Sequence, residues 1–227
     1  MQGVLLVDKP LKWTSFDVVN YVRKIVAEAE EKKPKHVKVG HTGTLDPMAT
    51  GLLVLLIGKE YTRRAGELSK LDKTYEVTMK LGETSSTGDE EGEKTIAADT
   101  IPNKEEVKHA LQRFSGEISQ VPPIYSAIKI NGQRAYDLAR AGKSVEMEPR
   151  QVRIDRLELT KYDYPNLSFV CEVSSGTYIR SLVEDIGKIL ETGAYTTELR
   201  RTKVGKFNLE NAYPVDTPNL LAHISNF

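Results

Sequence analysis

Cysteine is almost absent: Cys171 stands alone among 227 residues. A disulfide-stapled scaffold is therefore excluded, a reducing compartment fits, and the strand-like surroundings SFVCEV make the thiol a buried core group. Long apolar runs are also missing. No eighteen-residue hydrophobic stretch occurs, and the N-terminal MQGVLLVDKP meets Asp8 too early for a signal peptide, so a cytoplasmic protein with no membrane attachment is expected. The four histidines, His36, His41, His109 and His223, lack metal-ligand spacing and Cys171 has no partner, so no metal site is expected. GLLVLLIGK has six residues between its glycines where a phosphate-binding loop has four, and Glu60 follows where Ser or Thr should be. It reads as a buried strand.

Net charge is absent too. Lysine plus arginine equal aspartate plus glutamate at 32 each, which argues globally against a nucleic-acid binder. The distribution argues otherwise. Gly82 to Glu106 carries eight acidic and two basic residues, whereas Val121 to Arg156 carries seven basic and four acidic. Arg200, Arg201, Lys203 and Lys206 form a further basic cluster. A positive surface for phosphates and solvated faces of unrelated elements both fit these charges.

The chain is long enough for one large domain with a substantial insertion, whereas two full domains would be tight. A strand is expected over residues 1–7, and a helix capped by Thr14 or Ser15 should run to about Ala29, since Val18, Val19, Val22, Ile25 and Val26 recur at helical spacing. EAEEKKPKH reads as a solvated connection. KTYEVTMKLG alternates and puts Tyr75 on the inner face of a half-buried strand. Gly82 to Asp99 is a long acidic loop or hairpin, followed by a short helix around Lys104 to Phe114. The segment from about 121 to 152 starts with a double proline and contains a turn-like Asn131–Gly132. It also holds a short helix, RAYDLARAG, that Gly142 can stop. Strands alternate again from Val152 to Val173, and Ile179, Leu182, Val183, Ile186, Ile189 and Leu190 line one face of a last helix. Without a regular βαβ rhythm, the expected class is α+β with a mixed sheet.

The most informative stretch is Gly40 to Gly51, GHTGTLDPMATG. It sets one carboxylate, Asp46, in a loop rich in glycine and short hydroxyls, in front of the apolar run Leu52 to Ile57. Two readings fit. Asp46 and Pro47 can start a helix as N-cap and first residue, or the loop can present a reactive group on a rigid support. Arg180 poses a related question, because a cation in the first turn of a helix faces the positive end of the dipole and calls for an anionic partner. Glu184, one turn on, and Asp46 are the candidates.

GHTGTLDPMATG resembles the catalytic motif of the bacterial tRNA pseudouridine synthase B family. KTYEVTMKLG, VPPIYSAIKINGQRAYDLARAG, GTYIR and ELRRTKVGKF are similar to further motifs of that family in the same order, so the resemblance covers nearly the whole chain. It implies the pseudouridine synthase fold, with a mixed, largely antiparallel central sheet, flanking helices and an RNA-clasping insertion at about 121–152. It also implies isomerisation of uridine-55 in the T loop of tRNA, without cofactor or metal. Asp46, Tyr75 and Arg180 would be catalytic: Asp46 acts first, at C1′ or on the C2′ proton, Tyr75 stacks beneath the base, and Arg180 pins Asp46. His41, Tyr178 and Leu199 would contact the substrate, with His41 filling the gap left by the flipped nucleotide. Lys129, Arg134, Arg140 and Lys143 would hold phosphates. The partner is the T arm of tRNA, and a monomer with no obligatory protein partner is expected.

Some positions depart from that pattern. Lys12 stands where the family favours glycine in an N-terminal DKP-x-G-x-[ST]-S motif. Ser85 and Ser86 change an acidic-loop motif that keeps Thr87, Asp89 and Gly92, and Val173, Ser174 and Ser175 precede GTYIR without the usual cysteine or lysine. The chain stops at Phe227, where bacterial members continue into a small C-terminal RNA-binding domain, so a single catalytic domain over 1–227 with weaker tRNA affinity is expected. Alternatives are a non-catalytic tRNA-binding or folding protein, a guide-RNA-dependent synthase, and a synthase acting on another RNA. Joint retention of Asp46, Tyr75 and Arg180 favours catalysis.

Overall fold

The computed structural model describes residues 1–130, 132–143 and 145–226. The chain opens with β1 (Gly3–Lys9), α1 (Ser15–Ala29), β2 (Val39–His41), β3 (Ala49–Ile57), α2 (Lys59–Thr62), α3 (Ala65–Leu68) and β4 (Lys73–Leu81). Next come β5 (Glu83–Ser85), β6 (Lys94–Ile96), α4 (Lys104–Gln112), β7 (Gly116–Gln120), β8 (Lys129–Ile130), β9 (Gln133–Arg134) and α5 (Ala135–Arg140). The remainder is β10 (Arg150–Asp163), β11 (Asn166–Val173), α6 (Ile179–Ile189), β12 (Ala194–Val204), β13 (Phe207–Asn208) and β14 (Tyr213–Pro214). This is the expected α+β class with mixed, largely antiparallel pairing. Contacts divide the chain into two compact units, Met1–Glu76 with Glu198–Phe227, and Val77–Thr197.

In the first unit the strand order is β14-β1-β3-β12. β1 and β3 pair antiparallel from Gly3↔Ile57 to Lys9↔Gly51, and because successive side chains alternate faces, the run LLVLLI is buried on both. Leu53, Leu55 and Ile57 join Leu5, Val7 and the Val18, Val19, Val22, Val26 stripe of α1. Leu52, Val54 and Leu56 join Leu68, Val204 and Phe207 on the other side. Thr14 starts α1 with a capping box, its side chain accepting from Asp17 N–H while the Asp17 carboxylate accepts from Thr14 N–H.

One edge of β3 is shared. Its end pairs with β2, His41 opposite Leu55, and its start pairs parallel with β12, Leu199 opposite Ala49. Residues 42–48 connect β2 to the start of β3, so the Asp46 loop is held at both ends by strands of the sheet.

In the second unit β11 and β7 flank β10, with Leu157↔Cys171 and Val152↔Ile118 in register, and β4 lies beside β11. Leu167, Phe169, Cys171 and Val173 are all buried, including the thiol. α4, capped by Asn103, packs on β10 and α6. The acidic segment is a hairpin, β5 against β6. The basic insertion holds a second hairpin, Ile130 opposite Gln133, whose expected Asn131–Gly132 turn lies partly outside the described residues at Asn131. α5 follows, and Gly142 adopts φ +68° just beyond it, the left-handed stop expected of glycine.

Candidate functional site

Asp46 does not begin a helix. Its carbonyl accepts from Ala49 N–H at 3.1 Å, closing a four-residue turn with Pro47 at the second position, and the chain passes straight into β3. The cap reading fails because a capping side chain needs a helix after it, and here the largely apolar run 49–57 has its hydrogen bonds taken by β1, β2 and β12.

The turn is braced on three sides. Ser15, buried at the start of α1, donates to the Leu45 carbonyl (2.9 Å) and accepts from Leu45 N–H (2.7 Å). Lys12 N–H donates to the Pro47 carbonyl at 2.8 Å. Arg201, 1% exposed, donates Nε to the Leu52 carbonyl (2.8 Å), Nη2 to Gly43 (3.0 Å) and Nη1 to Thr44 (3.4 Å). β12 comes so close that a Cβ on Gly51, at φ +100°, would lie 2.3 Å from the Arg201 carbonyl oxygen. Only glycine fits there.

Arg201 thereby corrects one expectation. It is an internal clamp on the Asp46 loop, not part of a phosphate-binding surface, and its neighbour Arg200 is committed to Asp8 at 2.7 Å. Sequence reading missed both roles because charge alone does not distinguish a buried arginine from an exposed one. The eleven-residue strand around them was missed too.

Two buried lysines complete this electrostatic setting. Lys9 donates to the Pro10 (2.9 Å) and Trp13 (2.5 Å) carbonyls, and burial pulls its pKa down to about 8 although the nearby Asp46 charge pulls it up. Lys73 donates to the Ser69 and Leu71 carbonyls and is likewise lowered to about 8, by burial and then by Arg201. Of the two, Lys9 is the one whose charge acts on the partly buried Asp46.

His41 Nδ1 accepts from Gly43 N–H at 3.2 Å. Burial first, and Arg201 second, lower its pKa below the ordinary histidine value, so the ring is mainly neutral at pH 7. Tyr75 is buried on β4 as its alternation requires, and Leu199 is buried beside Ala49, three residues beyond Asp46.

Arg180 and Tyr178 belong to the second unit. Arg180, in the first turn of α6, has the anionic partner its position calls for: Asp89 Oδ2 lies 3.5 Å from Nη1, both side chains being buried. Nη1 also donates to the Thr87 carbonyl (2.9 Å) and Nη2 to that of Tyr125 (2.8 Å). Asp89 is a residue the helix-based reasoning missed; the retained Thr87, Asp89 and Gly92 of the acidic loop were its signal. Tyr178 caps α6, and the buried Gln120 amide reads its backbone twice, accepting from N–H at 2.8 Å and donating to the carbonyl at 3.1 Å. Asp46 and Arg180 fall in different units, and their pairing stays a proposal.

Three of the four insertion cations, Lys129, Arg134 and Lys143, line one open cleft of about 520 Å³. Arg134 and the fourth, Arg140, lie 5.7 and 5.6 Å from the Tyr136 ring centroid, a cation–π arrangement. Among the described residues no cluster of three His, Cys, Asp or Glu could hold a metal ion. No helix among them is long and apolar enough to cross a membrane.

Residues 30–179 match the profile of the TruB family pseudouridylate synthase N-terminal domain, and residues 180–224 that of the tRNA pseudouridylate synthase B C-terminal domain. The chain belongs to the TruB family. TruB proteins are pseudouridine synthases, a family of isomerases. A protein of Mycobacterium sp. (strain KMS) named tRNA pseudouridine synthase B is 47% identical over 220 residues, covering 94% of this chain and 71% of its own. One of the same name from Chlamydia pneumoniae is 42% identical over 222 residues, covering 98% and 89%. Among solved structures, a chain of a Cbf5–Nop10–Gar1 complex superposes with a TM-score of 0.70 at 29% identity, over 92% of this chain and 51% of that one. A chain of an H/ACA ribonucleoprotein bound to a substrate RNA containing 2′-deoxyuridine gives 0.69 at 25%, over 99% and 58%. This TruB chain spans little more than half the length of those two.

Proposed function

We propose that this chain isomerises uridine-55 in the T loop of tRNA to pseudouridine. The observation that carries the reading is the Asp46 turn, whose backbone is held from three sides and whose partly buried carboxylate lies near the Lys9 ammonium. Such a turn can hold one carboxylate in a set position, which is what breaking a glycosidic bond without a cofactor requires. The N1–C1′ bond breaks, the uracil rotates, C5 bonds to C1′, the C5 proton leaves, and N1 takes up a proton. Nothing is oxidised and no water is consumed overall. Asp46 initiates, at C1′ or at the C2′ proton, and the Arg180 guanidinium holds that carboxylate ionised and oriented.

A base within folded RNA must leave its stack to be reached. Neutral His41 supports a wedge role, since an uncharged plane fills a stacking gap without desolvating a cation. Tyr75 lies beneath the base, while Leu199 and Tyr178 shape the pocket. The cleft of Lys129, Arg134 and Lys143, with Arg140, holds phosphates irrespective of sequence. The names of the relatives, tRNA pseudouridine synthase B, support tRNA as substrate.

The test is tritium release from tRNA transcribed with 5-tritiated uridine, without added cofactor. Release by the native chain, mapped to the T loop and abolished in Asp46→Asn, is expected. Tight tRNA binding with no release would replace this reading by a non-catalytic tRNA-binding role, and release mapped elsewhere would name another RNA site.

A further inference from the structure

We infer that Lys12 and Phe16 form a second RNA-contact surface beside the Asp46 turn, Lys12 taking a phosphate of the strand that delivers the uridine and Phe16 offering its ring to a neighbouring base. The inference rests on the RNA-modifying reading above. Lys12 has φ +68°, a left-handed conformation that strains a residue with a Cβ and leaves glycine unstrained. Its main chain is already committed to the Pro47 carbonyl, a bond glycine would make equally well. The lysine side chain, exposed to solvent, is therefore a strained choice with no structural return, and strain of that kind points to function.

Phe16 is a second, independent anomaly. It occupies the first turn of α1 with 60% of its surface exposed. The Arg23 guanidinium lies 5.9 Å from its ring centroid and is itself held by Asn20 at 2.7 Å. An exposed aromatic with a fixed cation nearby is a platform for stacking a base and attracting its phosphate. The acidic neighbour, Asp17, is turned into the helix cap through Thr14.

Placement joins the two. Ser15, between them, is bonded both ways to Leu45, and Lys12 to Pro47, so residues 12 and 16 cannot leave the flanks of Asp46 without breaking three hydrogen bonds. RNA that sets a uridine on Asp46 passes over them.

The experiment measures binding of a tRNA transcript to the full chain at several salt concentrations, alongside thermal melts and tritium release by the native protein. Lys12→Gly should melt higher yet bind severalfold more weakly, with a salt slope shallower by about 0.9, and Lys12→Arg should restore affinity and slope. Phe16→Ala should weaken binding about fivefold or more with the slope unchanged. Native-like affinity and slope in Lys12→Gly, or a loss that arginine does not restore, overturns the inference. Because Lys12→Gly is the less strained chain, weaker binding cannot be assigned to unfolding. Absent release from a native chain that binds tRNA would instead sink the catalytic reading, which these slopes do not touch.

Discussion

The Ser15 hydroxyl and the Leu45 peptide group exchange two hydrogen bonds, N–H to Oγ at 2.7 Å and O–H to the carbonyl at 2.9 Å. One side chain at the start of α1 thus serves residue 45 as a neighbouring strand would, and fixes the residue that precedes Asp46. Ser15→Ala leaves a buried donor and acceptor unmet, which costs about 1–3 kcal/mol and lowers the melting temperature by several degrees. Loosening the turn should cut the single-turnover rate more than tenfold while tRNA affinity stays within about twofold. A rate unchanged despite the lower melting temperature would show that the turn does not depend on this bond.

Lys73 predicts a stability that rises with pH. Its folded pKa, about 8, lies below the ordinary value of 10.5, so between those values the unfolded chain binds more protons. The slope of stability with pH is then positive, up to about 1.4 kcal/mol per pH unit for this group. Below pH 8 the full cost of burying the charge is present, and it is relieved as pH rises toward 10.5. Lys9, also lowered to about 8, acts in the same direction. Denaturant titrations from pH 7 to 9.5 should show the rise for the native chain and a shallower one for Lys73→Met. Equal slopes would mean that Lys73 is not desolvated.

His41 acts in the same direction at lower pH. With its folded pKa pushed below 6.5 by burial, stability falls as pH drops through 6.5 toward the folded value, and is unaffected by this group above 7. Across pH 6.5 to 7.5 the rate should carry no histidine-dependent limb, and His41→Phe, which keeps the plane, should retain more activity than His41→Ala. A strong dependence of kcat/KM on a group titrating near 6.5, absent from His41→Phe, would show that the ring acts as a cation.

Much of this molecule was legible from periodicity. The α1 stripe, the alternation around Tyr75 and the buried run 52–57 are local patterns whose side chains settle their own environment. The Asp46 loop was legible as a site because glycines and hydroxyls around a lone carboxylate are poor material for either regular structure. Its bracing was not, since Ser15, Lys12 and Arg201 reach it from across the fold through carbonyl oxygens that every residue carries. β12 escaped notice because ELRRTKV holds charged residues on a strand, and Arg201 lies buried there by virtue of the carbonyls it serves. The strained backbone of Lys12 has no signature in a single sequence beyond a lysine where glycine fits better.

Two carboxylates near Arg180 should respond oppositely to neutralisation. Asp89 lies 3.5 Å from the guanidinium with both side chains buried, accepting also from the Thr87 hydroxyl and Glu91 N–H. Asp89→Asn removes a buried counter-charge from Arg180, a loss of about 3 kcal/mol, and loosens the guanidinium on the Thr87 and Tyr125 carbonyls. Glu184 is also mostly buried, but burial outweighs its cationic neighbours and raises its pKa, so its charge is a cost at neutral pH. Glu184→Gln should therefore leave stability unchanged or higher at pH 7, its effect shrinking as the pH falls and the native carboxyl protonates. Denaturant midpoints for the two variants at pH 5 and 7 decide the matter, with single-turnover rates expected to fall for Asp89→Asn alone. Comparable destabilisation by both would assign Arg180 to a diffuse acidic field and remove Asp89 as its positioning residue.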